Sequence, residues 1–582
     1  MKKYLLVYFA ISISVALSSC GGGGDSAGGG NPTPPPVSPP ATTDSVRFLQ
    51  QASFGPTDAT LAEVRLKGFD QFLNDQFAAA KSGYENLPNA LDPVIIAGVQ
   101  PATCNGDGNR ASAASQCERD NYSVFPMQTR FFQNAVDKPD QLRQRIAWAL
   151  SQFLVISATE IFQAYPMQSY QRILYDNAFG NYRDLLNKIT LSPAMGRYLD
   201  MANNSKPSGT QTPNENYARE LLQLFSIGQV KLNTDGSAVM ENGATVPSYD
   251  QDQVEAFAHV FTGWTYPPLP GQTAKFYSPA YYVGDMVAIA TKHDTGAKTL
   301  LNGVTLPANQ TPEKDLNDAI DNIFNHPNVG PFVGKRLIQH LVTSNPTPEY
   351  ISRVSAVFNN NGQGVRGDMK AVIRAILLDT EARGDVKTDA RYGHLKEPAL
   401  YAMNILRALN AKSDGVVMRY FTQIMGQDIF VPSSVFNYYP PDHVLAAEKI
   451  GAPEFAIQNT STAMNRINIA TTLIFNRPAY YDTTLKKYVN PFPDTVTGIY
   501  RDEAVNGSIG SLIDWAPWQA IAADTNAMLE KINTLMFHGA MSGAMKDSIA
   551  RAVNAVAVDD PLLRARTAVF LAVTSSQYQV ER

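Results

Sequence analysis

Cysteine is scarce: Cys20, Cys104 and Cys117 are the only three in 582 residues. That is too few for a disulfide-built scaffold, and no zinc-type ligand spacing surrounds them. Charge is also thin, at 17 % of residues with a net of -5, and Lys and Arg are scattered along the chain. No basic stripe of the kind that holds phosphate backbones is present, so no nucleic-acid partner is expected. The uncharged apolar run at Tyr4–Leu17 is about 14 residues, short of the roughly 20 that span a bilayer. His-Glu-x-x-His, a P-loop, Gly-x-Ser-x-Gly and a Rossmann fingerprint are all missing. Ser433-Ser434 stands between Pro432 and Val435 without a nucleophile elbow. These absences argue against standard zinc-protease, nucleotide and serine-hydrolase chemistry. What is abundant is apolar side chain, 44 % of the sequence, ample for a globular core. At roughly 100–200 residues per domain the length allows about three to five domains or one large unit.

The first residues carry an address. Met1-Lys2-Lys3 is a positive start, Tyr4–Leu17 is the apolar stretch, and Leu17-Ser18-Ser19-Cys20 follows. The pattern resembles a bacterial lipoprotein signal, with cleavage before Cys20 and lipid on its sulfur. Two or more acyl chains anchor stably, since each buried CH₂ contributes about 0.8 kcal/mol. Residues 1–19 are then the signal peptide, and the membrane is a partner through Cys20. Gly21 at the next position, in place of Asp, favours the outer membrane over the inner. Residues 20–43 hold the Gly21–Gly24 run and the proline-rich stretch to Pro40, a tether of flexible coil and stiffer polyproline. In an oxidising envelope Cys104 and Cys117 can pair. That would close a turn-rich loop of about 14 residues, worth roughly 3 kcal/mol in the chain-entropy model.

From Asp44 onward helical periodicity dominates. Thr57 is placed to cap a helix that runs to Gly68, followed by Phe69–Phe77. Gln141–Ser157, Asn214–Ile227, Asp250–Trp264, Asn328–Thr343 and Asp368–Arg383 follow. Asp250 and Gln253 have capping-box spacing, and Val254, Phe257, Ala258 and Phe261 form one apolar stripe. Two stretches break the period. Turns at Thr234-Asp235-Gly236 and Asn242-Gly243 predict a hairpin near 231–246, and residues 276–306 are rich in Tyr, Val, Thr and Gly. The fold class is therefore mainly α, one large multi-helix domain or two helical lobes with minor β-hairpins near 231–246 and 276–306. The lobes would be 44–270 and 311–582, with 271–310 as an insertion.

Several segments resemble the bacterial domain-of-unknown-function 1800 family. They are Arg47-Phe48-Leu49-Gln50-Gln51-Ala52-Ser53-Phe54-Gly55-Pro56-Thr57, Asn214-Glu215-Asn216-Tyr217-Ala218-Arg219-Glu220-Leu221-Leu222, Phe261-Thr262-Gly263-Trp264, His293-Asp294 with Gly296 and Lys298-Thr299, His326-Pro327, and Gly334-Lys335-Arg336-Leu337. The resemblance implies a mainly helical, secreted or envelope protein and no established activity.

Within those segments the polar residues form the candidate site. Glu215 and Arg219 share one helix face, and Asn216 and Glu220 the next. With Asn214 at the helix start, this set can bind a divalent metal or present an acid/base pair. Equally, Asn214 can cap, Glu215 can favour the dipole and pair with Arg219, and Glu220 can pair elsewhere. His293-Asp294 lies in a glycine-containing loop and offers a base or ligand; the alternative is a turn in which Asp294 bonds backbone before Gly296. Lys298 can hold an anion or stay solvated. His259, His326 and His340 fit structural roles better than ligand roles, and Trp264 fits core packing. Glu215, Glu220, His293 and Asp294 are thus the catalytic candidates, and Asn214, Asn216, Arg219 and Lys298 the binding candidates. No cofactor is specified, a divalent metal being possible. The absence of strong catalytic motifs favours a binding or assembly lipoprotein with an envelope protein partner. The alternative is a hydrolase-like extracytoplasmic enzyme.

Overall fold

A computed structural model of the chain describes residues 39–84, 119, 122–389, 391–447, 449–475, 480–482, 487–489, 508 and 510–582. Cys20, Cys104 and Cys117, and with them the proposed anchor and disulfide, lie outside the described residues.

Local signals translate into helix ends. Thr57 accepts from the backbone of Thr60 at 3.1 Å, and the Thr60 hydroxyl accepts from the backbone of Thr57 at 2.9 Å. This reciprocal box starts the Asp58–Ala78 element. Gly68, at φ +76°, breaks that element where the predicted helix ends. Asp250 and Gln253 form the same box at the head of the Gln251–Val260 helix, whose Val254, Phe257 and Ala258 are buried. Asp368 caps Met369–Leu378 through the backbones of Lys370 and Ala371, and Met369, Val372, Ile373, Ile376 and Leu377 all face inward. Apolar side chains at such spacing, each worth about 1.5–3 kcal/mol when fully buried, merge into one core that runs from Phe48 to Tyr578.

The fold is mainly α. Strands among the described residues are short antiparallel pairs. Met240↔Thr245 and Glu241↔Ala244 flank a turn at Asn242 and Gly243, both at positive φ, which gives the hairpin expected near 231–246. In the second irregular stretch Val287–Ala288 pairs with Trp264–Thr265, and Lys298–Thr299 with Thr305–Leu306. Gly263, at φ +86°, lets the His293 backbone pass close by: a Cβ there would sit 2.9 Å from the His293 backbone nitrogen.

Pro39–Arg582 is one compact unit. Its two ends are stitched together by Arg47, which donates to the carbonyls of Gly384, Asp385 and Arg582 at 2.9, 3.0 and 3.3 Å. No helix among the described residues is long and apolar enough to cross a membrane.

Candidate functional site

The residues singled out by sequence fall into two self-paired clusters. In the first, Glu215 accepts from Arg219 at 2.6 Å and from Gln251 at 2.9 Å, while Arg219 also reaches Gln251 at 3.2 Å. The Asn204 side chain accepts from the Asn214 backbone N–H at 2.9 Å and donates to the Asn214 carbonyl at 3.0 Å. The Asn214 side chain accepts from the backbone of Asn216 at 2.9 Å, and Asn216 donates to Asp200 at 3.3 Å. Glu220 differs from these. Its Oε2 is buried without a hydrogen-bond partner among the described residues. Burial raises its pKa, against the pull of Arg219.

The second cluster is drier. His293, Lys298 and Asp315 are 1 %, 4 % and 0 % exposed. Asp315 accepts from Lys298 at 2.7 Å, lies 3.0 Å from His293 Nε2, and accepts from Gln310 at 2.7 Å. Burial pushes the Asp315 pKa up, but these contacts outweigh it and the net shift is downward. His293 Nδ1 faces the Thr262 carbonyl at 2.9 Å. Lys298 spends its other donors on the carbonyls of Asp294 and Gly296, at 2.6 and 2.9 Å. Three acceptors saturate an ammonium, so none is left for an outside anion. Asp294 lies 2.5 Å from His259 Nδ1 and accepts from the Gly296 backbone at 2.7 Å. Asp315, which organises this cluster, was not singled out from sequence.

The two clusters do not merge. Glu215 engages Gln251 and Asp294 engages His259, near opposite ends of one helix. At 1.5 Å rise per residue that separates them by about 12 Å. Among the described residues no group of three or more His, Cys, Asp or Glu could hold a metal ion.

A different set converges on a cleft. Its walls are Gln152, Phe153, Leu224, Arg336, Gln339, His340, Val435, Phe436, Tyr439, Pro441, Pro453 and Glu454. The cleft encloses about 490 Å³ of atom-free space, part of it open to solvent. Apolar walls with a few convergent polar groups are the usual form of a small-molecule site. Arg336, Gln339 and His340 stand on one face of the Val329–Leu341 helix. Gln152 and Phe153 follow the Gln141–Ser151 helix, and Gln152 is held by Asn437 at 2.8 Å. Leu224 closes the Asn216–Gln223 helix, so that helix reaches the cleft by its end.

Behind the wall lies a buried carboxylate. Glu397, 4 % exposed, precedes the Pro398–Ala408 helix. It accepts from the Tyr439 hydroxyl, and from Gln427 at 2.8 Å. His340 Nδ1 is 3.8 Å from Glu397, outside direct hydrogen-bond range. Burial works against the Glu397 charge, but His340, Tyr439 and Gln427 reverse that and bring its pKa to about 2. Burial lowers the His340 pKa, more than Glu397 raises it. Glu454 accepts from Ser344 and from the Leu395 backbone at 3.0 Å, and burial raises its pKa.

Arg336 is the cleft's cation. It donates to the Pro441 carbonyl at 3.0 Å and more weakly to Gln339 at 3.4 Å, and rests on the Phe332 ring at 5.3 Å. It forms no ion pair with any described residue. Burial lowers its pKa to about 10, which leaves it charged at neutral pH. Sequence reasoning placed His340 with the structural histidines and met Arg336 only within a family segment. Their shared i, i+4 spacing was the available signal.

No curated protein and no solved structure matches the chain. A family model described as "Protein of unknown function (DUF1800)" matches residues 47–580, and the chain belongs to that family.

Proposed function

We propose that this is an exported, lipid-anchored envelope protein that binds a small carboxylate ligand in the Arg336 cleft. Export and anchoring rest on the Met1–Cys20 signal. The observation that supports binding is a half-buried guanidinium in a cleft, without a carboxylate partner among the described residues. A planar guanidinium matches a carboxylate in two parallel bonds. Gln152 and Gln339 supply further polar groups. The walls of Phe153, Phe436, Pro441 and Pro453 suit a flat apolar body behind the carboxylate.

Benzoate is the simplest probe of that description. Titration calorimetry on the mature chain should show saturable benzoate binding that Arg336→Gln weakens at least tenfold. Benzamide, which lacks the charge, should bind more weakly. Equal binding of benzoate and benzamide, or an unaffected Arg336→Gln variant, would overturn the assignment.

A further inference from the structure

The same cleft holds the parts of a hydrolytic base. We infer that His340 is a general base that activates water against a carboxylic ester bound by Arg336, with Glu397 as its positioning residue. This rests on the carboxylate-binding reading above and adds turnover to it.

The geometry begins with the imidazole. Its Nδ1 side is turned to Glu397, so Nε2 lies on the opposite edge of the ring. No described residue hydrogen-bonds either ring nitrogen of His340, and the ring lines the cleft. A base needs this: one nitrogen directed by a carboxylate and the other left for substrate or water. The Glu397 position is fixed from two further sides by Tyr439 and Gln427. The His340 ring is nearly parallel to Phe153, 9° between planes and 6.4 Å between centres, and Arg145 holds the His340 backbone carbonyl. The 3.8 Å gap to Glu397 fits an unliganded site, where catalytic hydrogen bonds are often long and tighten with substrate.

Among the described residues the cleft walls contain no Ser, Thr or Cys, and the nucleophile of the inferred step is water. In the step, water oxygen bonds to the acyl carbon while His340 Nε2 takes one of its protons. The carbonyl electron pair moves to oxygen, where the side-chain amides of Gln152 and Gln339 can receive it while Arg336 holds the substrate carboxylate. Collapse of that intermediate breaks the bond to the alcohol oxygen. The imidazolium returns its proton to that oxygen, giving acid and alcohol with the base restored. The substrate class is an ester of modest width that also carries a carboxylate.

The charged and titratable groups around His340 are Glu397 from the start of the Pro398–Ala408 helix, Arg145 from the Gln141–Ser151 helix, and Arg336 one turn away. Tyr439 and Glu454 complete the set across the cleft. Removing the Glu397 charge leaves Arg145 and Arg336 to oppose the imidazolium, so the His340 pKa should fall further.

The test uses the mature chain and 4-acetoxybenzoate, followed by release of 4-hydroxybenzoate, with benzoate affinity measured in parallel. Wild type should turn over. His340→Gln should lose at least a hundredfold in kcat while still binding benzoate. Glu397→Gln should lower kcat and move the rise of kcat/KM with pH to lower pH; a merely structural defect would lower activity without moving that profile. Circular dichroism and thermal melts identify any variant that fails to fold, and for such a variant His340→Asn takes its place. Benzoate binding without hydrolysis in wild type, or equal hydrolysis by His340→Gln, would overturn the catalytic inference and leave the binding reading standing. Loss of benzoate binding in wild type would overturn both.

Discussion

Asp315→Ala is the most informative single change outside the cleft. Asp315 is fully buried and is shared by His293, Lys298 and Gln310. Its removal leaves Lys298 buried with two carbonyl acceptors and no counter-charge. Breaking a buried pair by deleting one partner costs about 3–5 kcal/mol, because the remaining charge is uncompensated. Unfolding entropy is about 2.1 cal/mol/K per residue. For the roughly 540 residues of Pro39–Arg582, if they melt together, that cost lowers Tm by about 3–4 °C. Differential scanning calorimetry at pH 7 measures it. Adding Lys298→Met to Asp315→Leu should recover part of the loss, since an apolar pair of similar volume leaves no buried charge. Benzoate affinity should not change in the single variant. A Tm within about 1 °C of wild type, or loss of benzoate binding without loss of Tm, would refute the assignment of this cluster to structure.

Acid should destabilise the protein through the buried His326. Burial lowers its pKa to about 4, with Lys231 and Arg366 adding to the shift. That lies below the unfolded value of about 6.5, so its stabilisation is complete above pH 6.5 and is lost as pH falls through the folded value. At 1.36 kcal/mol per pH unit, it loses about 3 kcal/mol by pH 4. Urea midpoints at pH 7, 5.5 and 4 report this, and a flat series would contradict it. Gly263→Ala should cost about 1–3 kcal/mol, since a Cβ at φ +86° meets the His293 backbone; unchanged chemical denaturation would count against that close approach. Cys20→Ala should move the protein from washed membranes to the soluble fraction, and its persistence in membranes would remove the anchor.

Helices were the legible part of this fold because their instructions are local. Thr57, Asp250 and Asp368 cap where side-chain chemistry says they should. The Glu215–Arg219 pair also follows from i, i+4 spacing alone. The cleft was not legible for the converse reason. Its carboxylate and hydroxyl, Glu397 and Tyr439, are 42 residues apart and meet only through tertiary packing. Glu397 also stands directly before Pro398 at a helix start, and Asp315 lies in the first turn of Pro312–Phe324. In both places an acidic residue is already explained by the helix dipole. A residue that satisfies a local rule gives no sign in sequence that it also serves a distant partner. Glu220 shows the opposite failure. Its i, i+4 neighbourhood suggested a partnered acid, yet Oε2 is buried with none among the described residues. Spacing states which residues share a face, and only packing states what that face meets. The acids that matter most here are therefore separated by burial and partner set: Glu397 deep and held by Tyr439 and Gln427, Asp315 deep and saturated, Glu215 near the surface and paired.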